Sequence, residues 1–65
     1  MSAVETYIET EAERVERWRT EALLRVGFDF ETATVMAADL TVDLHAAADL
    51  ISRGCPPDLA ARILL

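Results

Sequence analysis

The sequence predicts an all-α fold, a small helical bundle with a long first helix and a short fourth helix at its C-terminal end. Three observations point there. No stretch alternates with period two for more than a few residues, and no hairpin turn is present. Apolar residues recur at helical spacing, most clearly Leu44, Ala47, Ala48 and Ile51 at i, i+3, i+4 and i+7. Gly27, Gly54 and the pair Pro56-Pro57 fall where such patterns stop.

Residues 3 to 26 read as one long helix. Ser2 and Glu5 have the capping-box spacing, in which each side chain satisfies an orphan amide at the helix start. Val4, Ile8, Val15, Trp18 and Ala22 step by four, seven, three and four, close to the 3.5-residue repeat of a packing seam, with Glu11 at the missing step. Such a helix extends about 36 Å, longer than a 65-residue globule covers. Residues 3–17 are therefore expected to project and 18–53 to form the core. The projecting half carries Glu5, Glu9, Glu11, Glu13 and Glu16 against Arg14 and Arg17. Glu13–Arg17 and Glu21–Arg25 have the favourable i,i+4 order, each worth about 0.2–0.5 kcal/mol. This half reads as a solvated face, as an arm docking through Val4, Tyr7 and Ile8, or as both, because an apolar stripe on a projecting helix needs covering.

Gly27 suits the position just past a helix end, where a left-handed backbone costs glycine little. Phe28 follows and either plugs the core or leaves an apolar face open. Asp29 is the expected N-cap of a second helix over about 30–39, with Ala33, Met36, Ala37 and Leu40 inward. After Thr41 and Val42, Asp43 caps a third helix reaching about Arg53, which Gly54 stops. Pro57 suits the first turn of a fourth helix over 57–65, where Asp58 near the start and Arg62 near the end match the helix dipole. Leu59, Ala60, Ile63 and Leu64 carry its pattern. Alanines at 33, 37, 47 and 48 permit close helix approach. At this size the entropy of ordering the chain nearly cancels apolar burial, so marginal stability is expected.

Composition narrows the function. Sixty-five residues bound the chain to one small domain. Twelve acids against six arginines give a net charge of −6, the opposite of a nucleic-acid footprint. The longest uncharged run, Thr32 to Ala38, is far short of a bilayer span. Met1-Ser2-Ala3-Val4-Glu5 offers neither a basic nor an apolar signal region, so a cytoplasmic location is expected. There is no Lys, Asn or Gln, while Ala occurs eleven times. That usage fits the codon bias of a GC-rich genome, a bacterium's or a phage's.

Chemistry is sparse. His45 is the single histidine, beside a helix start, and reads as a surface residue because a base or ligand needs partners. The lone Cys55 excludes an internal disulfide; it either fills a gap between helices or, at a helix start, has a lowered pKa and reacts. No His, Cys and carboxylate set has metal spacing, and no apolar pocket is evident to tune a carboxylate. No phosphate loop or nucleotide fingerprint is present. Trp18 reads as a core anchor, whose removal would cost about 3–5 kcal/mol, or as an interface residue.

One set of residues resembles a known family. Leu23-Leu24-Arg25-Val26-Gly27-Phe28, then Asp29, Ala33, Ala37 and Leu40, then the run from Asp43 to Ile51, are similar to the ubiquitin-associated domain and its relatives. Those modules carry a hydrophobe-Gly-Phe turn after the first helix and an Asp or Asn cap on the third. The resemblance covers about 18–53 and implies a three-helix core. It also implies partner binding through Val26, Gly27 and Phe28 with Leu50 and Ile51, although Val26 stands where methionine is commoner. A broader resemblance, through Trp18-Arg19, Leu24, Gly27-Phe28, Asp43-Leu44-His45 and the tail from Gly54 to Leu64, is to small uncharacterised proteins of actinobacteria and their phages. Several of those are encoded among virion structural genes.

The function expected is a non-enzymatic protein–protein interaction module, a small acidic helical adaptor or accessory protein. It would bind a protein partner or a second copy, with no cofactor, metal, nucleic acid, membrane or small-molecule substrate. The arm Val4, Tyr7, Ile8, Val15 and Trp18 is one candidate surface; Val26, Gly27, Phe28, Leu50 and Ile51 form the other. The alternatives are a virion structural or assembly component and a small thiol-dependent redox protein.

Overall fold

The structure is a computed structural model and describes residues 8–65. Four helices follow one another: α1 (Glu11–Val26), α2 (Phe30–Ala38), α3 (Leu44–Ser52) and α4 (Pro57–Leu64). There is no strand among the described residues. The all-α bundle with a long first and a short fourth helix is therefore what the chain forms.

Helix α1 starts later than the spacing suggested. Thr10 is its N-cap: the Thr10 hydroxyl accepts from the Glu13 amide at 3.1 Å, and the Thr10 amide donates to Glu13 Oε1 at 2.9 Å. This capping box satisfies two orphan amides at once. Residues 8–10 are not helical, so Ile8 lies outside the stripe that Val15 and Trp18 share. Ser2, Val4, Glu5 and Tyr7, the start of the expected projecting half, lie outside the described residues. Glu9 reaches back along α1, and Arg17 grips its carboxylate with two hydrogen bonds of 2.9 Å.

Two helices end in the same way. At the end of α1, the Gly27 amide donates to the Leu24 carbonyl and the Phe28 amide to the Leu23 carbonyl, both at 3.2 Å. At the end of α3, the Gly54 amide donates to Ile51 and the Cys55 amide to Leu50, both at 3.0 Å. Each glycine has positive φ, +124° at Gly27 and +95° at Gly54. This is the Schellman arrangement, which turns the residue after the glycine back onto the last helical turn. Phe28 is accordingly core, 3% exposed beside Leu23, and Cys55 packs partly buried against the same core.

Asp29 caps α2 by accepting from the Thr32 amide, and Asp43 caps α3 by accepting from the His45 amide. Pro57 occupies the first turn of α4. Helix α1 packs against α2 and α3, and α4 packs against α3 and α2. The buried apolar set is Leu23, Phe28, Met36 and Val42 with five alanines, 33, 37, 47, 60 and 61. So many alanines let the helices approach closely, but they bury little apolar surface each, and large-residue deletions will be felt.

The large residues correct several sequence expectations. Leu40, assigned inward on α2, is 75% exposed. On α4 the buried face is Ala60 and Ala61 with Leu64 partly buried, while Leu59 and Ile63 stand out. Close helix contact selects the alanine face there, because a leucine in its place would hold the helices apart. Trp18 is 57% exposed and is not a core anchor.

Candidate interaction surface

Trp18 overhangs a groove between α1 and α3. Ala22, Leu23 and Val26 continue it along α1, and Leu44, His45 and Ala48 form the α3 wall. Ala22 and Val26 share one face with Trp18 at four- and eight-residue steps, and Ala48 shares one with Leu44 at a step of four, with Leu23 and His45 at the edges. The groove floor is almost wholly apolar, and its volume is about 180 Å³. Small-molecule pockets run to roughly 300–1,000 Å³, so this one is sized to a protruding side chain rather than a metabolite. Beyond Trp18, Leu40, Thr41 and Val42 continue the surface toward the α2–α3 turn.

Arg19, next to Trp18, fixes that turn. Its Nε donates to the Ala37 carbonyl at 3.1 Å, and its Nη2 donates to the carbonyls of Asp39 at 3.1 Å and Val42 at 2.8 Å. These carbonyls close α2, whose last turn holds no basic residue of its own, so an arginine from α1 supplies the cation that the end of a helix dipole favours. Asp39 completes the turn by accepting from the Thr41 amide and hydroxyl, which hold its carboxyl below the usual range.

The candidate residues distribute unevenly. Trp18 and Val26 share the groove. Val15 is 41% exposed and lies in a separate hollow between α1 and α2. Ile8 is 80% exposed ahead of α1. Leu50 and Ile51 pack partly buried against the core. Phe28 is buried, so its ring offers no surface to a partner, and the Gly27–Phe28 turn instead shares a hollow with Thr32 and the α4 start, Pro57 and Asp58. Leu44 and Ala48, which belong to the amphipathic stripe of the third helix, are half-buried and form groove wall. Phe30 belongs to no motif, and Arg19 and Leu40 belong to one only through the family resemblances, which assign neither of them to a binding surface.

Two surface carboxylates have lowered pKa values: Glu9, held low chiefly by the Arg17 hydrogen bonds, and Asp39. No polar or charged residue is buried among the described residues. They include no grouping of three His, Cys, Asp or Glu able to hold a metal ion. The His45 side chain is fully solvent-exposed. No helix among the described residues is long and apolar enough to cross a membrane. Compared with protein-family models, curated proteins and solved structures, the chain matches none.

Proposed function

We propose that this chain is a non-enzymatic protein-interaction module that receives an apolar side chain of a protein partner in the groove between α1 and α3. One observation carries the reading: a tryptophan more than half exposed, at the rim of an apolar groove that its own chain leaves unfilled. Exposing an indole over an apolar floor wastes burial that a partner recovers, and tryptophan is enriched where partners bind most tightly. Arg19 holds the adjoining turn by three hydrogen bonds, so the groove wall is ordered before a partner arrives, which lowers the entropy that binding must overcome. The Gly-Phe turn and the Asp43-capped third helix support kinship with ubiquitin-associated-like modules.

Parallel pull-downs from the native source, with wild type and with Trp18→Ala and Leu44→Asp, test this. A protein captured by wild type and lost with both variants, while helical content is retained, is the expected result. Equal capture by all three would remove the groove as the binding site.

A further inference from the structure

The other flank of α1 carries a second, chemically different surface. Between α1 and α2 lie two hollows that meet at Glu16. The first, about 510 Å³, is lined by Ala12, Val15, Ala38 and Leu40. The second, about 470 Å³, is lined by Thr20, Leu24, Phe30 and Thr34. Leu40 and Phe30 are 75% and 68% exposed. From Ala12 to Leu24 the helix rises about 18 Å, a little over three turns, so the paired hollows have the reach of a short helix.

Their charge is one-sided. Glu11 and Glu16 border the first hollow; Glu13, Glu16 and Glu21 border the second. The single cation there, Arg17, is already held by Glu9 and lies 3.8 Å from Glu21. Arg14 stands 3.8 Å from Glu11. Glu16, between the hollows, has no ion-pair partner among the described residues.

We propose that this α1–α2 face docks a cationic amphipathic helix of a protein partner, with apolar residues seated in the two hollows and Lys or Arg side chains paired to Glu16 and its neighbours. Apolar side chains supply the affinity in such helix-in-groove contacts, while the carboxylates fix register and reject other sequences. A second copy fits poorly. Each chain carries a charge of −6, and two such faces would bring glutamates against glutamates. This face meets the Trp18 surface at Leu40 but shares no lining residue with the α1–α3 groove itself.

The test uses the full chain and a synthetic helical peptide of roughly 15 residues, with a leucine face flanked by lysines, and its twin with every lysine replaced by glutamate. Amide chemical-shift mapping and calorimetry read the binding. The lysine peptide is expected to shift amides over 12–24 and 30–40, and the glutamate twin is not. Glu16→Lys should weaken the lysine peptide about tenfold or more. Asp58→Lys, the same charge change on α4 at a residue that lines neither hollow, should weaken it by less than about twofold, because an exposed charge out of contact with the peptide contributes little. Trp18→Ala should leave it unchanged. Equal binding of the twin, equal loss from Glu16→Lys and Asp58→Lys, shifts confined to other residues, or no binding would each overturn the proposal. Concentration-dependent shifts of the same amides without peptide would assign the face to a second copy and overturn it as well. None of these outcomes bears on the capture lost with Trp18→Ala and Leu44→Asp, which tests the other groove.

Discussion

Arg19 Nη2 lies 2.8 Å from the Val42 carbonyl oxygen, across 23 positions of chain, and this contact joins the middle of α1 to the turn that launches α3. The same guanidinium also serves Ala37 and Asp39. Val42 itself is buried at 2% exposure, so its carbonyl is held near an apolar core and gains from a charged donor.

Arg19→Ala is expected to cost about 1.5–3 kcal/mol, the range for hydrogen bonds to a charged group. In a domain of this size each kcal/mol lowers Tm by about 4–8 °C. Arg19→Lys should recover only part of the loss, because an ammonium lacks the planar fork that spans three carbonyls. Thermal melts followed by circular dichroism compare the three proteins; equal Tm for wild type and Arg19→Ala would show that the contacts contribute nothing.

Trp18→Ala should leave stability within about 1 kcal/mol of wild type, the range of surface substitutions, because the indole is more exposed than buried. As Trp18 is the sole tryptophan, intrinsic fluorescence reports it directly. Emission should be that of a solvated indole, readily quenched by acrylamide. A blue-shifted, protected emission in the isolated chain, or a melting temperature lost with the substitution, would place Trp18 in a core.

What was legible in the sequence was mostly local chemistry. Asp29 and Asp43 cap helices, and Gly27 and Gly54 end them, because an orphan amide or a positive φ is satisfied by the residue at that position and little else. The start of α1 was misplaced because Ser2/Glu5 and Thr10/Glu13 have identical spacing, and spacing alone does not choose between two competent capping boxes. Facing was harder. Leu59 and Ile63 have the helical period of a core stripe, yet the smaller Ala60 and Ala61 win the interface because close approach is worth more there than the bulk of each side chain. The Trp18 groove was half visible, since Trp18 and Val26 are candidate contact residues, whereas on α3 Leu44 and Ala48 show only a helical stripe and His45 only a surface position. Arg19 gave no signal of its turn-holding role: its partners are backbone carbonyls, which every residue has.

The Glu9–Arg17 fork makes a pH prediction. Its hydrogen bonds hold the Glu9 carboxyl below the ordinary glutamate value and raise Arg17. A carboxyl with a folded-state pKa lower than its unfolded one contributes stability above the unfolded value and loses it as pH falls through the folded one. The contact should therefore be complete at neutral pH and open below the ordinary glutamate range. Carboxyl-carbon titration by NMR should give Glu9 a depressed midpoint that returns to the ordinary value in Arg17→Ala. An undisplaced Glu9 midpoint in wild type would refute the fork. The global melt should hardly change, because exposed pairs contribute little.

Gly27→Ala isolates the backbone contribution to the α1–α2 turn. An added Cβ at Gly27 meets nothing within 4 Å, so no clash obscures the result. The residue sits at φ +124°, a conformation that side-chain-bearing residues rarely adopt and that costs them on the order of 1–3 kcal/mol. The turn has little freedom to relax, because it seats Phe28, whose amide donates to Leu23 and whose ring is buried beside it. The variant should fold to the same helical content with a lowered Tm, and Gly54→Ala, at φ +95° and equally open, should lose a similar amount. Phe28→Ala should be more severe, about 3–5 kcal/mol for an emptied aromatic site, comparable to the whole stability of a domain with so alanine-rich a core. A Gly27→Ala protein as stable as wild type would mean that the turn tolerates a negative φ, and Phe28 would then lose the geometric reason for its place in the core.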